Sequence, residues 1–350
     1  MISNSSKRQR LIEEGQQKIT LNKIVKFSHY ETIFKFVFFL VLIIISLYSF
    51  DIIQFQQFLQ EKNFRRFDWK NIKWLFIGLI LIHITKEINK KLVTGYVEKK
   101  LDSKYIGIDR QLRVQKIVKW IYDTLYYTSA TLFAFFTFQN EKWFPTEFGG
   151  TNFKETLYDF PNFPDNPWVP IYYMVQASSH VHALLLLMVY GTKIELKYWE
   201  YLLHHSLAVS LLYFSTMYNC ENIGIVVLLL HDISDIFLAL GRTYGDIGKN
   251  KIFVYIGFSS IQISWLYTRV YVFPIKIYDC LLNHPQFLPY WEQTKHAFYN
   301  QIGLMVLLFG MHVYWTIFMV KVGLGIFSSG RYKNIYDNRE NKLDHNKKEN

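Results

Sequence analysis

Cysteine is scarce in this 350-residue chain: there are two, Cys220 and Cys280. That excludes a disulfide framework and leaves room for at most one bridge, on a non-cytosolic side. No apolar run lies close to the start, so no cleavable signal peptide is expected. The apolar segments are continuous and lack the alternation of a membrane barrel. No HxxH or HxxHH box of the kind used by di-iron membrane oxidases is present, and no inverted repeat or broken-helix pair points to a transporter.

What the chain has instead is apolar surface. It is 51% hydrophobic and 18% aromatic, and apolar runs of about 18 residues recur. This pattern predicts an all-α polytopic membrane protein of about eight transmembrane helices, one helical domain with short tails. The expected spans are Ile33–Phe50, Ile72–Ile88, Ile117–Phe138 and Trp168–Tyr190, a central hairpin, then Ile252–Phe273 and Ala297–Val322. Pro274 is expected to break the seventh span, with residues 275–296 forming a loop.

The net charge of +11 reads as cytosolic loop bias, not as a nucleic-acid surface. Residues 86–119 carry ten Lys or Arg and are expected to be a cytosolic loop. The acidic, proline-bearing segment 139–167 falls on the opposite side. Eight spans put both termini in the cytosol, so the Asn4-Ser5-Ser6 sequon should be unused. The final Lys347-Lys348-Glu349-Asn350 has the KKxx pattern of retrieval to the endoplasmic reticulum. The tail from Arg331 is charged and expected to be disordered.

The central hairpin, Tyr201–Arg242, sets His204, His205, His231, Asp232 and Asp235 into an apolar background. An Asp at a helix centre in a membrane costs about 2.5–3.5 kcal/mol, so such residues are functional candidates by default. On a helix, His231, Asp232 and Asp235 fall at about 0°, 100° and 40°, one arc of one face. His204 lies near the start of the first span and Asp235 near the end of the second. An antiparallel hairpin brings those ends to one membrane face. Lys193, Lys197 and Arg242 flank that face and mark it as cytosolic.

The paired His, then Ser215, Asn219 and Gly224, then HDxxD from His231 to Asp235, resemble the longevity-assurance motif of ceramide synthases in the TLC-domain family. The resemblance takes in Trp143-Phe144, Tyr172-Tyr173-Met174, Thr268-Arg269 and the Phe298–Trp315 segment, and covers about residues 114–322. It departs from the family pattern at Gln176, Asn222, Ala239 and Arg242, which bears on substrate contacts. It implies a six-helix TLC core at 114–322, preceded by two extra spans within 33–90 and flanked by tails at 1–32 and 323–350. It also implies transfer of a fatty acyl group from acyl-CoA, a co-substrate and not a resident cofactor, to a sphingoid base. A homodimer or a small regulatory membrane subunit fits the resemblance, as does the endoplasmic reticulum membrane.

On this reading His204 is the general base or transient acyl acceptor, with Asp235 as its partner. His205, His231 and Asp232 orient groups or stabilise charge. Lys193, Lys197, Arg242 and Arg269 meet the phosphates of acyl-CoA or a lipid headgroup. His180 and His182 lie 200° apart and read as satisfied buried histidines. Other readings of the polar set are helix-packing contacts, a metal site for a lipid amidase or hydroxylase, and a TLC protein that senses lipid without catalysis.

Overall fold

The computed structural model describes residues 34–39, 42, 48, 51–103, 105–146, 160–163, 166–194, 198–247, 251–287 and 290–329. The expected tails, the glycosylation sequon, the KKxx terminus, most of the first span and most of the segment 139–167 lie outside the described residues.

Among the described residues the chain is helical and without strands. Residues 34–39 are helical, and α1 comprises residues 51–61. Then follow α2 (Ile72–Lys100), α3 (Gly107–Phe138), α4 (Trp168–Ile194), α5 (Tyr198–Met217) and α6 (Glu221–Ile247). After α7 (Lys251–Trp265) comes a π-helical segment (Leu266–Val272), continued by α8 (Phe273–Phe287) and α9 (Trp291–Ser329). Among the described residues two stretches, Glu221–Ile247 and Trp291–Gly325, are long and apolar enough to cross a membrane.

Two expected loops are helices. The basic segment 86–119 is the end of α2 and the start of α3, joined by a short connection. Lys, Arg, Glu and Gln are good helix formers, so their polarity ends an apolar run without ending the helix. The junction is closed by Arg110. Its guanidinium donates to the carbonyls of Asp102 at 3.0 Å and Tyr105 at 3.3 Å, and to Glu98 at 2.5 Å. It thus caps carbonyls that the end of α2 leaves open. Segment 275–296 is likewise largely α8, not a loop. Pro274 sits where the π-helical segment passes into α8, inside a helix that continues through it, so it removes one backbone N–H donor there without ending the helix.

Packing brings α3 against α6, α2 against α4, α4 against α5, and α6 against α7. The α6–α7 crossing is close because it is made at glycine. A Cβ on Gly241 would strike Ile261, and one on Gly257 would sit 3.5 Å from the Gly241 Cα. A second tie holds α3 to α6, where Arg113 donates to Asp246 at 2.9 Å.

The hairpin turn between α5 and α6 is fixed by Asn219 in the left-handed region, φ 55°, which Asn tolerates better than most residues. Its amide donates to the Arg65 carbonyl at 2.6 Å and the Pro161 carbonyl at 3.0 Å. Gln56 of α1 donates to the Met217 carbonyl at 2.5 Å, and Arg65 pairs with Glu221 at 3.5 Å. The segment after α1 is thereby fastened to the tip of the hairpin.

Candidate active site

The two helices of the hairpin enclose a cavity. Its walls include His204, His205, Leu212 and Ser215 of α5, and Gly224, Val227, His231, Asp232 and Asp235 of α6. Helix α9 closes one side with Phe298, Gln301, Ile302, Met305 and Leu308, while α4 supplies Tyr173 and His180 and α3 supplies Tyr127. All five residues expected from the hairpin motif therefore meet at one chamber. They cluster at the end away from the hairpin turn, and the rest of the wall is mostly apolar.

Within that cluster the residues have different freedom. His231 donates from Nδ1 to the Val227 carbonyl at 2.7 Å, and its Nε2 lies 3.0 Å from Nε2 of His312. A neutral His231 with the proton on Nδ1 can only accept at Nε2, so His312 donates there. The acceptor nitrogen of His231 is thus taken. His204 and His205 differ: their Nδ1 atoms are buried without a partner, and no described hydrogen bond engages Nε2. The two rings lie 5.3 Å apart, and His180 is 6.3 Å from His205. The paired histidines are thus left without a described hydrogen bond at the cavity wall.

Asp232 is 2% exposed and accepts from the Gln176 amide at 2.5 Å. That amide also donates to the Tyr172 hydroxyl at 3.0 Å, and its carbonyl accepts from Tyr126 at 2.7 Å. A carboxylate at position 176 would face Asp232 with like charge; the amide donates instead. The departure at Gln176 is therefore compatible with the Asp232 network.

The structure corrects two expectations. Asp235 is not bonded to His204. Its Oδ1 accepts from Nη2 of Arg269 at 2.6 Å. Arg269, in turn, is not a surface cation for phosphates. It is 2% exposed, donates from Nε to Ser234 at 2.6 Å and from Nη2 to the His231 carbonyl at 3.2 Å, and stacks 4.3 Å from Trp265. Depth along the hairpin placed His204 and Asp235 at one level, but depth says nothing about which neighbour faces the carboxylate. The π-helical segment delivers Arg269 to that position. Such segments insert an extra residue into the turn and re-aim side chains.

Of the other basic candidates, Arg242 is half-buried and within electrostatic reach of Asp235. Lys193 lies on the last turn of α4, its side chain outside the described residues, and Lys197 lies outside them altogether. Lys119, which the sequence reading placed only among loop cations, is exposed, pairs with Asp123 at 2.6 Å and is within electrostatic reach of His205.

A second set of residues supports His204. Its ring packs edge-on against Trp315 at 5.1 Å. The Trp315 indole donates to the buried Glu200 at 3.4 Å, and Tyr314 donates to the same carboxylate at 2.9 Å. Glu200 precedes His204 by four residues in an apolar run, a spacing that shares a helix face. That spacing was a signal in the sequence; the aromatic partners on α9 were not. His182 is satisfied by Lys86 at 3.2 Å, as expected, whereas His180 lines the cavity.

Cys220 and Cys280 are both free and buried at the far end of the cavity, so no bridge forms between them. Burial pushes the Cys280 thiol up to about 12, which leaves little thiolate and makes it a poor acyl acceptor. Among the described residues no group of three or more His, Cys, Asp or Glu is placed to hold a metal ion.

A TLC domain model matches residues 116–321. Similar proteins include ceramide synthase hyl-1 of Caenorhabditis elegans, 24% identical over 236 residues, which are 64% of this chain and 61% of that protein. Sphingosine N-acyltransferase lag1 of Schizosaccharomyces pombe is 25% identical over 186 residues, 51% of this chain and 47% of that protein. Ceramide synthase 3 of Mus musculus is 30% identical over 169 residues, 48% of this chain and 42% of that protein. The chain thus spans less than two thirds of the length of these three relatives. With more than half of its residues matched, it belongs to the TLC-domain family.

Proposed function

We propose that the chain is a ceramide synthase, which transfers a fatty acyl group from acyl-CoA to the amine of a sphingoid base. The observation that carries this reading is the cavity itself. It joins two free imidazoles at one end to an apolar chamber running along the hairpin toward the turn. An acyl chain fits such a chamber, and the thioester carbonyl then lies beside the histidines. The names of the similar proteins support the same chemistry.

In this reading the neutral His204 ring acts through its unprotonated nitrogen, since neither ring nitrogen has a described hydrogen bond. It takes the proton of the attacking amine as the C–N bond forms, or it receives the acyl group first and passes it to the amine. In both routes the C–S bond of the thioester breaks and CoA leaves as the thiol, with the proton from the amine. Asp235 and Arg269 act as one buried ion pair that fixes the backbone of α6 beneath His231. Phosphates of acyl-CoA meet Lys119 and Arg242, with Lys193 and Lys197, which precede α5 in the sequence, as further candidates. The chain crosses the endoplasmic reticulum membrane eight times, with α8 outside the spans and both termini in the cytosol.

The test is direct. Membranes containing the chain receive sphinganine and a panel of acyl-CoA thioesters, with His204→Ala as control. N-acyl sphinganine that disappears in the control supports the reading. No product with any thioester, from protein of normal abundance, overturns it in favour of a lipid-binding TLC protein. Incubation with labelled acyl-CoA alone, followed by detection of labelled protein, separates the two routes.

A further inference from the structure

The cavity wall is polar at two levels and apolar between them. Three helices show the same order. On α5, Leu211 and Leu212 separate the paired histidines from Ser215. On α6, Val227 and Leu228 separate His231 from Cys220, which directly precedes the helix. On α9, Met305 and Leu308 separate Gln301 from His312, the partner of His231. The spacing is the same each time: Ser215 is eleven residues from His204, Cys220 eleven from His231 and Gln301 eleven from His312. Eleven residues make about three helical turns, so the second level is well removed from the reacting end.

Hydrogen bonding at that level leaves one amide over. Tyr173 and Ser215 are bonded to each other, and the Ser215 hydroxyl donates to the Leu212 carbonyl at 3.2 Å, so the phenol is the donor to Ser215. The Cys220 thiol donates to the Tyr218 carbonyl at 3.5 Å. Gln301 is 8% exposed and lines the cavity, and its Nε2 is buried without a hydrogen-bond partner among the described residues. Buried amides are nearly always paired, because an unpaired one forfeits its hydration with nothing in return. An all-carbon chain along this wall does not supply the missing acceptor.

A sphingoid base does not supply it either. Its amine has to reach the histidines, and its hydroxyls sit on carbons next to the amine, so they stay at that end. The acceptor has to come from a chain that runs from the thioester carbonyl toward the turn. We propose that Gln301 is a specificity residue that donates to an oxygen on the distal half of the acyl chain, so that the preferred donor substrate is a hydroxylated acyl-CoA. The hydroxyl oxygen accepts from Nε2, and the hydroxyl oxygens of Tyr173 and Ser215 at the same level have lone pairs for its proton. The inference rests on the acyl-transfer reading above and assigns a substrate class within it.

The experiment gives membranes containing the full chain sphinganine and pairs of competing thioesters. Each pair sets a plain 18-carbon acyl-CoA against the same chain hydroxylated at carbon 2, 10, 12, 14 or 18, and the product ratio is read. In wild type at least one distally hydroxylated chain should be preferred by about fivefold, the worth of one ordinary hydrogen bond. Gln301→Met keeps the side-chain length, removes the donor, and should bring that ratio to one or below. The ratio for the 2-hydroxy chain, whose hydroxyl stays beside the thioester, should be the same in both proteins. A distal preference that persists in Gln301→Met overturns the proposal. If that variant does not accumulate, wild type decides through the keto analogue of the preferred isomer. A ketone accepts and cannot donate, so it should keep the preference; a preference lost with the ketone overturns the assignment to an amide donor. No transfer of any thioester by abundant wild-type protein sinks the acyl-transfer reading and this proposal together. Transfer of the plain chain with no preference for any distal isomer sinks the proposal alone and leaves the amide to water.

Discussion

At the residue scale, the site divides into side chains that are held and side chains that are free. His231, Asp232, Asp235 and Arg269 are each committed to a neighbour, whereas His204 and His205 are not. Replacing His204 with Ala should lower acyl transfer by about 10²–10⁴-fold, the usual worth of a positioned general base, with membrane abundance unchanged. A loss below fivefold would transfer the role to His205. Breaking the buried ion pair is a stability matter as well. Arg269→Met leaves Asp235 buried without its cation and should cost about 3–5 kcal/mol, while Arg269→Met with Asp235→Leu should recover most of that loss. Thermal melts of the detergent-solubilised variants read both; a double variant no more stable than the single one would contradict the pairing. Glu200→Gln should weaken the hold on Trp315 and disturb the His204 ring. It should lower kcat with KM little changed, and a selective rise in KM would instead assign Glu200 to substrate binding. The hairpin residues were legible in the sequence because five ionisable groups in an apolar background are costly. Glu200 was present in the same stretch but its partners were not, because Tyr314 and Trp315 come from α9, more than one hundred residues on.

At the element scale, the π-helical segment Leu266–Val272 decides where Arg269 points. Deleting the exposed Tyr267 should return the segment to an α-helix and rotate Arg269 by about 100° away from Asp235. Acyl transfer should then fall as far as it does in Arg269→Ala; unchanged transfer would mean that the ion pair has no bearing on the reaction. Sequence patterns missed this segment because residues 252–273 read as one apolar run whatever the hydrogen-bond register inside it. The same limit explains α2, α3 and α8. Charge marks where a helix leaves an apolar environment, and Pro274 removes one N–H donor where the π-helical segment passes into α8 without ending the helix. Neither tells where backbone hydrogen bonding stops.

At the scale of the whole molecule, the N-terminal part is more than an addition. Residues of α1 and of the turn after it hold the hairpin tip through Gln56, Arg65 and Glu221, and Phe55 stacks behind Phe160 of the cavity wall. The proposed topology makes a further prediction. Antibodies against tags at either terminus should reach them after selective permeabilisation of the plasma membrane, and Asn4 should carry no glycan. Glycosylation at Asn4 would reverse the orientation and place the histidine end of the cavity in the lumen.

The sequence by itself determined that the chain is helical and apolar, and which hairpin carries the polar set. Those features are local: hydropathy and helical spacing act over one or two turns. It determined the membership of the polar set for the same reason, since His204 to Asp235 lie in a single antiparallel pair. Only the tertiary structure decided who meets whom. Asp235 faces Arg269, His231 faces His312, and His204 rests on Trp315, because α9 and the π-helical segment pack across the hairpin. Those contacts join residues far apart in the chain. Each depends on the rotation of one packed helix about its axis, a quantity that no periodicity within either helix contains.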